Sequence, residues 1–174
     1  MKARLIPIHA ARLLVLLVAL AQSSVRSEPA PSASSHPTSI DGTYELTERV
    51  MADGTILRPP AVVALYTLVR GRFNLNLFFK NSDGTIASES TVGRYTYSNS
   101  KYCEWIVYTI RNNIDKPGVT NEPPVLTDHC TPVVSKNGRA VFSPPGESVT
   151  MSVGSKGFDA RIEGEFVDHW KKIQ

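Results

Sequence analysis

A long apolar run is missing from this chain, which argues against a membrane-spanning helix. The longest run is LLVLLVALA near the N-terminus, nine residues where a bilayer span needs roughly 20. Lys2, Arg4 and Arg12 precede it, and it ends on the Ala-Leu-Ala pattern that signal peptidase accepts. We therefore predict that residues 1–21 are a signal peptide and that the protein is exported, to the periplasm or the extracellular space. The alternative is an uncleaved N-terminal anchor; a lipid anchor is not supported, because no cysteine directly follows the run.

An excess of charge is also missing once the signal peptide is removed. The whole chain has 19 Lys and Arg residues against 16 Asp and Glu residues, a net charge of +3. Cleavage removes Lys2, Arg4 and Arg12 and no acid, so the 16 remaining basic residues balance the 16 acidic ones. A neutral domain has no electrostatic attraction for phosphate backbones or anionic lipid. We therefore expect no nucleic-acid partner and no stable membrane anchor.

Cysteine is scarce, with only Cys103 and Cys130 in the chain. In an oxidising compartment an even pair indicates one disulfide. Closing a loop of this length adds about 3 kcal/mol in the chain-entropy model. The alternative is a metal site or a reactive thiol, but only His129 stands beside the pair, and a zinc site needs grouped ligands. We predict the disulfide and no metal.

The rest of the chain divides into a leader and one domain. Residues 22–39 are rich in Ser, Pro and Ala and offer almost nothing to bury, which is typical of a disordered leader. Residues 40–174 have a length that suits one domain with a single core.

In this domain no apolar pattern with the 3.6-residue period of a helix is sustained. Apolar and polar residues alternate instead. Apolar residues at 73, 75, 77 and 79, and again at 149, 151 and 153, alternate with mostly polar neighbours. Turn dipeptides such as Asp53-Gly54 and Asn137-Gly138 separate the runs. The pattern predicts eight to ten antiparallel strands in a β-barrel or a β-sandwich, and a barrel would remove edge strands. Residues 112–129, which contain three prolines, are predicted to be one long loop.

The start of the domain, Gly42-Thr43-Tyr44, resembles the Gly-x-Trp that opens lipocalin and calycin barrels. Further short motifs are similar to those of lipocalin-like domains in bacterial exported proteins: Gly71-Arg72-Phe73, Gly93-Arg94-Tyr95 and Trp170-Lys171. The resemblance spans roughly residues 40–172 and implies an antiparallel lipocalin-like β-barrel with Tyr44 closing one end. The family has no single established activity, so the resemblance implies no catalytic residues.

Two carboxylates fall in phase with apolar residues. Glu48 is in step with Leu46, and Glu104 with Ile106. Burial raises the pKa of a carboxyl group, which is one way that general acids arise, whereas at a barrel mouth both groups would be solvated. The sequence shows no nucleophile elbow, P-loop or dinucleotide fingerprint. It therefore assigns no catalytic residue and no cofactor.

In-phase apolar and aromatic residues favour the binding or carriage of a small apolar molecule. The predicted lining consists of Leu46, Tyr66, Phe73, Leu75, Leu77, Tyr95 and Met151. Tyr97 and Tyr108 are further candidates to line the lumen, although tyrosine is also favoured in strands for packing. The alternatives are a barrel enzyme of isomerase or cyclase type and a ligand-free module that binds a protein partner through residues 112–129. A barrel this small can also be filled by its own side chains.

Overall fold

The computed structural model describes residues 37–81, 83–114 and 116–174. The predicted signal peptide and residues 22–36 of the predicted leader lie outside these ranges. Within them the chain forms thirteen strands and their turns, which confirms the all-β prediction. The strands are Gly42–Met51 (β1), Ile56–Leu57 (β2), Val62–Val69 (β3), Arg72–Lys80 (β4), Ile86–Tyr97 (β5), Lys101–Asn112 (β6), Val119–Glu122 (β7), Val125–Pro132 (β8), Val134–Lys136 (β9), Arg139–Phe142 (β10), Thr150–Gly154 (β11), Gly157–Ile162 (β12) and Phe166–Lys172 (β13). The count exceeds eight to ten because several strands have only two to four residues.

All ladders are antiparallel and belong to one sheet. The strand order is β7-β6-β5-β4-β3-β1-β13-β12-β11-β10-β9, with β2 paired to β1 and β8 paired to β6. This path of ladders is open, since it starts at β7 and ends at β9. Among the described residues, no helix is long and apolar enough to cross a membrane.

The alternation read from the sequence is reproduced in the side chains. In β4, Phe73 is buried and its neighbours Arg72 and Asn74 are exposed; in β11, Met151 and Val153 are buried. A period of two places alternate residues on opposite faces of a strand, so each of these strands has one inward and one outward face.

The prediction of one long loop over residues 112–129 was wrong. β7 and most of β8 lie in that range and pair with β6. Pro123 and Pro124 fall between the two strands, where no ladder N–H is required. The prolines therefore separate two strands, and do not prevent them from forming.

A β-bulge in β1 overturns the inward placement of Glu48. The register with β13 shifts between Leu46 and Glu48, so the side chains beyond the bulge change faces. Arg49 occupies the inward position instead and forms a bidentate ion pair with Asp168, at 2.6 and 2.8 Å. Glu48 accepts a hydrogen bond at 2.6 Å from Arg58, whose side chain is 62% exposed.

The buried core gathers inward side chains from both ends of the strand order. Tyr102 of β6 stacks on Phe142 of β10 with ring centroids 4.6 Å apart, and Tyr44 of β1 meets Phe158 of β12 edge to face at 5.0 Å. Gly93 allows the Phe73 ring to pack against the backbone, because a Cβ at position 93 would lie 2.4 Å from that ring.

The predicted disulfide is confirmed. Cys103 and Cys130 are bonded and face each other in the ladder between β6 and β8. A disulfide is compatible with an oxidising, exported location.

Candidate functional site

The buried core contains a filled aromatic cluster, which we call the base. It is built from aromatic rings and Ile40, and its members are Tyr44, Tyr66, Phe73, Tyr95, Tyr102, Phe142, Phe158 and Trp170. The Tyr44 hydroxyl donates to the carbonyl of Ile40 at 2.8 Å, which fixes the segment before β1 against the base. Tyr44 itself is buried, at 1% exposed.

The cavity at the base holds about 10 Å³, which is room for about one water molecule. Tyr44, Tyr66 and Tyr102 contribute to its lining. Small-molecule sites generally have volumes of roughly 300 Å³ or more. A ligand therefore cannot occupy the base as it stands.

The seven predicted ligand-binding residues separate into two groups. Leu46, Phe73, Tyr95 and Met151 are at most 8% exposed and belong to the core. Tyr66, Leu75 and Leu77 are only partly buried and pack against that core. The structure therefore brings all seven to one interior, but Tyr66 belongs to the base, and only Leu75 and Leu77 lie outside it with part of their surface accessible.

Leu75 and Leu77 belong to a stripe on the inward face of β4 that continues to Phe79. All three are partly buried. The register places polar residues directly beside the stripe on the next strand, with Leu75 opposite Thr91 and Leu77 opposite Glu89. We call the three residues of β4 the apolar wall.

The adjoining group, which we call the polar wall, lies on the inward faces of β5, β6 and β7. Its members are Glu89, Thr91, Thr109, Arg111 and Glu122. Arg111 donates to Glu89 at 2.8 Å and also bonds to Glu122, while the hydroxyls of Thr91 and Thr109 lie 3.1 Å apart. Arg111 and Glu89 keep 27% and 18% of their side chains exposed. Solvent therefore reaches this wall.

Glu104 lies deeper, between the polar wall and the base, and is 8% exposed. It accepts a hydrogen bond from the Tyr102 hydroxyl at 2.7 Å. The pKa of Glu104 is raised to about 7: burial is the main cause, the hydrogen bond from Tyr102 acts in the opposite direction, and the charge of Glu147 adds a smaller increase. Of the two placements that the sequence left open for each carboxylate, burial applies to Glu104, whereas Glu48 lies beyond the bulge and off the inward face.

The tyrosine hydroxyls around Glu104 are held in their protonated form. Burial raises the pKa of Tyr102 and of Tyr66, and the nearby Glu104 carboxylate adds to both shifts. Glu147 completes the group, since burial and then the charge of Glu89 raise its pKa while Arg111 lowers it. The arrangement can exchange a proton at a buried carboxyl near neutral pH and can present hydroxyl donors beside it.

Other sequence candidates lie elsewhere. Tyr108 is 42% exposed and lies opposite Val92 on the outward face, so it does not line the interior. The Tyr97 hydroxyl donates to the carbonyl of Pro37 at 2.9 Å. His169 faces outward and bonds to Asp159 at 2.8 Å.

Sequence reasoning missed the polar wall. Glu89 and Thr91 are in phase with the inward residues Ala87 and Tyr95, and this alternation was the signal available in the sequence. Arg111 was missed because the alternation through Ile106 and Tyr108 places it on the outward face, whereas the register shift between β5 and β6 brings it inward. Among the residues that the structure describes, no three His, Cys, Asp or Glu side chains are placed to hold a metal ion.

Comparisons with protein-family models, with curated proteins and with solved structures found no match to this chain.

Proposed function

We propose that the protein is an exported, lipocalin-like binding protein that holds a small, largely apolar molecule against the apolar wall and the adjoining polar wall. The observation that carries the proposal is the register between Leu77, Glu89 and Arg111, which sets an accessible apolar surface beside accessible hydrogen-bonding groups. Ligand sites combine mostly apolar lining with a few polar groups that fix orientation. The molecule would lie above the filled base, and not in it.

A closed barrel is part of this proposal. β8 pairs with β6 and β9 pairs with β10, and only Val133 separates β8 from β9. Val133 is buried, and its N–H donates to the carbonyl of Ser100 at 2.9 Å. We call residues 125–136 the seam segment. One continuous stretch of chain that pairs with both β6 and β10 supports closure of the otherwise open path of ladders.

A fluorescent apolar probe tests the binding site. Leu75→Trp fills the space beside the apolar wall, and we expect it to weaken probe binding at least tenfold, because added volume in a packed site displaces the ligand. Leu65→Trp is the matched control, since Leu65 lies on the neighbouring strand and faces outward. If the wild type binds no probe, or if the two variants bind equally, the proposed site is wrong.

A second candidate function is acid–base catalysis of isomerase or cyclase type, favoured by one observation. Glu104 has its pKa raised to about 7 beside the Tyr102 hydroxyl, and a group with a pKa near the working pH is the best placed to transfer protons. If this candidate is right, a ligand captured from an exported-protein preparation should return chemically altered from the wild type and unaltered from Glu104→Gln. Unaltered ligand from both proteins would leave binding as the function.

Export is tested independently of either activity. We expect the exported protein to begin near residue 22, as N-terminal sequencing can establish. A mature protein that still begins at Met1 would contradict the predicted cleavage.

A further inference from the structure

Four neighbouring strands, β3 to β6, present an outward surface in which three successive rows have no charged residue. The register aligns the twelve residues across the strands as Val63, Phe78, Ser88 and Asn112, then Leu65, Asn76, Ser90 and Ile110, then Thr67, Asn74, Val92 and Tyr108. We call these twelve residues the uncharged face. Charge returns only at its borders, with Arg72 and Arg94 in the next row, Lys80 beyond the opposite row and Glu45 on β1.

The uncharged face carries an unusual amount of exposed apolar surface. Its five largest apolar side chains are each 38% to 45% exposed, namely Val63, Leu65, Phe78, Tyr108 and Ile110. Together they present on the order of 400 Å² of apolar surface, comparable to the largest patch on a typical monomer, and such patches often mark interaction sites. Val69, Val107 and Val119 extend the patch at its borders.

Three polar residues near the centre of this face are bonded to one another. The Asn76 amide donates to Asn74 at 2.9 Å, and the Ser90 hydroxyl donates to Asn76 at 2.9 Å. Burying a polar group is costly mainly when its hydrogen bonds are lost. Pairing within the face therefore lowers the desolvation penalty of covering it.

We propose that the uncharged face is the interface of a homodimer, covered by the same face of a second copy of this chain. A two-fold interface sets one patch against itself, so any formal charge near its centre would meet a like charge. The uncharged face avoids that repulsion entirely. A highly charged partner would lose hydration there without gaining a counter-charge.

The size of the face fits a dimer of modest affinity. Two sheets pack face to face about 10 Å apart, and a standard interface buries roughly 800 Å² on each partner. The five large side chains supply about half of that area, and the polar rows and bordering valines supply the rest. The dimer should therefore form in the micromolar range of protein concentration, at the weak end for specific interfaces.

Sedimentation equilibrium on the protein expressed from its full sequence tests the proposal. We expect a concentration-dependent dimer with a dissociation constant below roughly 100 μM, because interfaces of standard size have micromolar or tighter affinities. Introducing like charges with Leu65→Lys and Ile110→Lys should raise the dissociation constant at least tenfold. Ile56→Lys is the control, because Ile56 is similarly exposed but lies on β2, and it should leave the dimer intact. A wild type that stays monomeric, or a double variant that still dimerises, would overturn the proposal.

A cross-link provides a readout that does not depend on weakening the interface. Ser90→Cys places a thiol near the centre of the uncharged face, so oxidation should yield a covalent dimer. The control Ser152→Cys places a thiol on the outward face of β11 and should remain uncross-linked. Equal cross-linking of the two variants, or capture of an unrelated protein by Ser90→Cys in place of a second copy, would also overturn the proposal.

Discussion

Asp168 and His169 are adjacent in β13, yet their side chains lie in opposite environments. Asp168 points inward and pairs with Arg49, where both side chains are nearly enclosed, at 6% and 11% exposed. His169 points outward and joins Asp159 and Arg139 in a network whose members keep about two-fifths of their side chains exposed. One step along a strand thus changes the energetic role of an ion pair. The inner pair cannot lose one partner without leaving a buried charge, whereas water can replace either partner of the outer group.

The strongest test of this contrast is removal of the inner cation. Arg49→Ala leaves the enclosed Asp168 carboxyl group without its cation, and it also removes the guanidinium that lies 3.9 Å from the Phe166 ring centroid. We expect the free energy of unfolding to fall by about 3–5 kcal/mol. Urea unfolding at pH 7 measures the change.

The double variant Arg49→Met with Asp168→Leu is the informative companion. It should recover most of the loss, since apolar residues of similar volume often replace a buried ion pair without penalty. If the double variant is as unstable as Arg49→Ala, the ion pair itself stabilises the fold, and does more than avoid an unpaired buried charge.

The next largest effect concerns Glu104, an inner charge that has no cation. Its folded-state pKa of about 7 lies above the ordinary 4.5, so the folded protein binds this proton more tightly than the unfolded chain does. The resulting stabilisation is complete below about pH 4.5 and is lost as the pH rises through 7. It amounts to about 3 kcal/mol between those limits.

Glu104→Gln should remove most of this pH dependence and leave the variant more stable than the wild type at pH 8. Urea unfolding at pH 5 and at pH 8 measures both effects. Glu163→Gln is the control, because its side chain is 89% exposed and the pH dependence should persist. Identical pH profiles for Glu104→Gln and the wild type would contradict the assignment of the titrating group.

Arg111 is intermediate, since it is partly exposed and pairs with two glutamates. Arg111→Gln should cost about 1 kcal/mol of stability or less. Because the arginine lowers the pKa of Glu147, its loss should raise that pKa, and a carboxyl titration followed by NMR would detect the shift. If the pKa of Glu147 is the same in the variant and the wild type, Arg111 does not act on Glu147.

The smallest effect is expected in the outer network. Arg139→Ala should change the free energy of unfolding by at most about 1 kcal/mol, and less at high salt, because exposed pairs are screened. The same urea experiment as for Arg49→Ala gives the comparison directly. Equal losses from the two alanine variants would show that burial does not separate the two groups.

The sequence correctly predicted the structural features that depend on the alternation within a strand. The alternation around Phe73 and Met151 located β4 and β11 correctly, and the thiol pair located the disulfide. These features follow from side-chain geometry within a strand and from chemistry that needs only two residues. The all-β class follows from the same evidence.

What the sequence could not predict depends on pairing between strands. The bulge beside Thr47 is fixed by the register of β1 on β13, so alternation alone placed Glu48 inward and overlooked Arg49. The polar wall required β7, which the prolines at positions 123 and 124 concealed. The volume of the interior was equally hidden, because it depends on how the rings of Tyr44, Tyr102 and Phe142 pack.

The disulfide joins the seam segment to β6 at one position. Cys130 belongs to β8 and is bonded to β6, while the contacts of β9 with β10 consist of three register pairs. Reduction would therefore lower the free energy of local opening in this part of the chain before it affected the paired strands from β1 to β5. Amide hydrogen exchange in the reduced protein should accelerate first in the seam segment and in β7, which would make that stretch the earliest site of proteolytic cleavage.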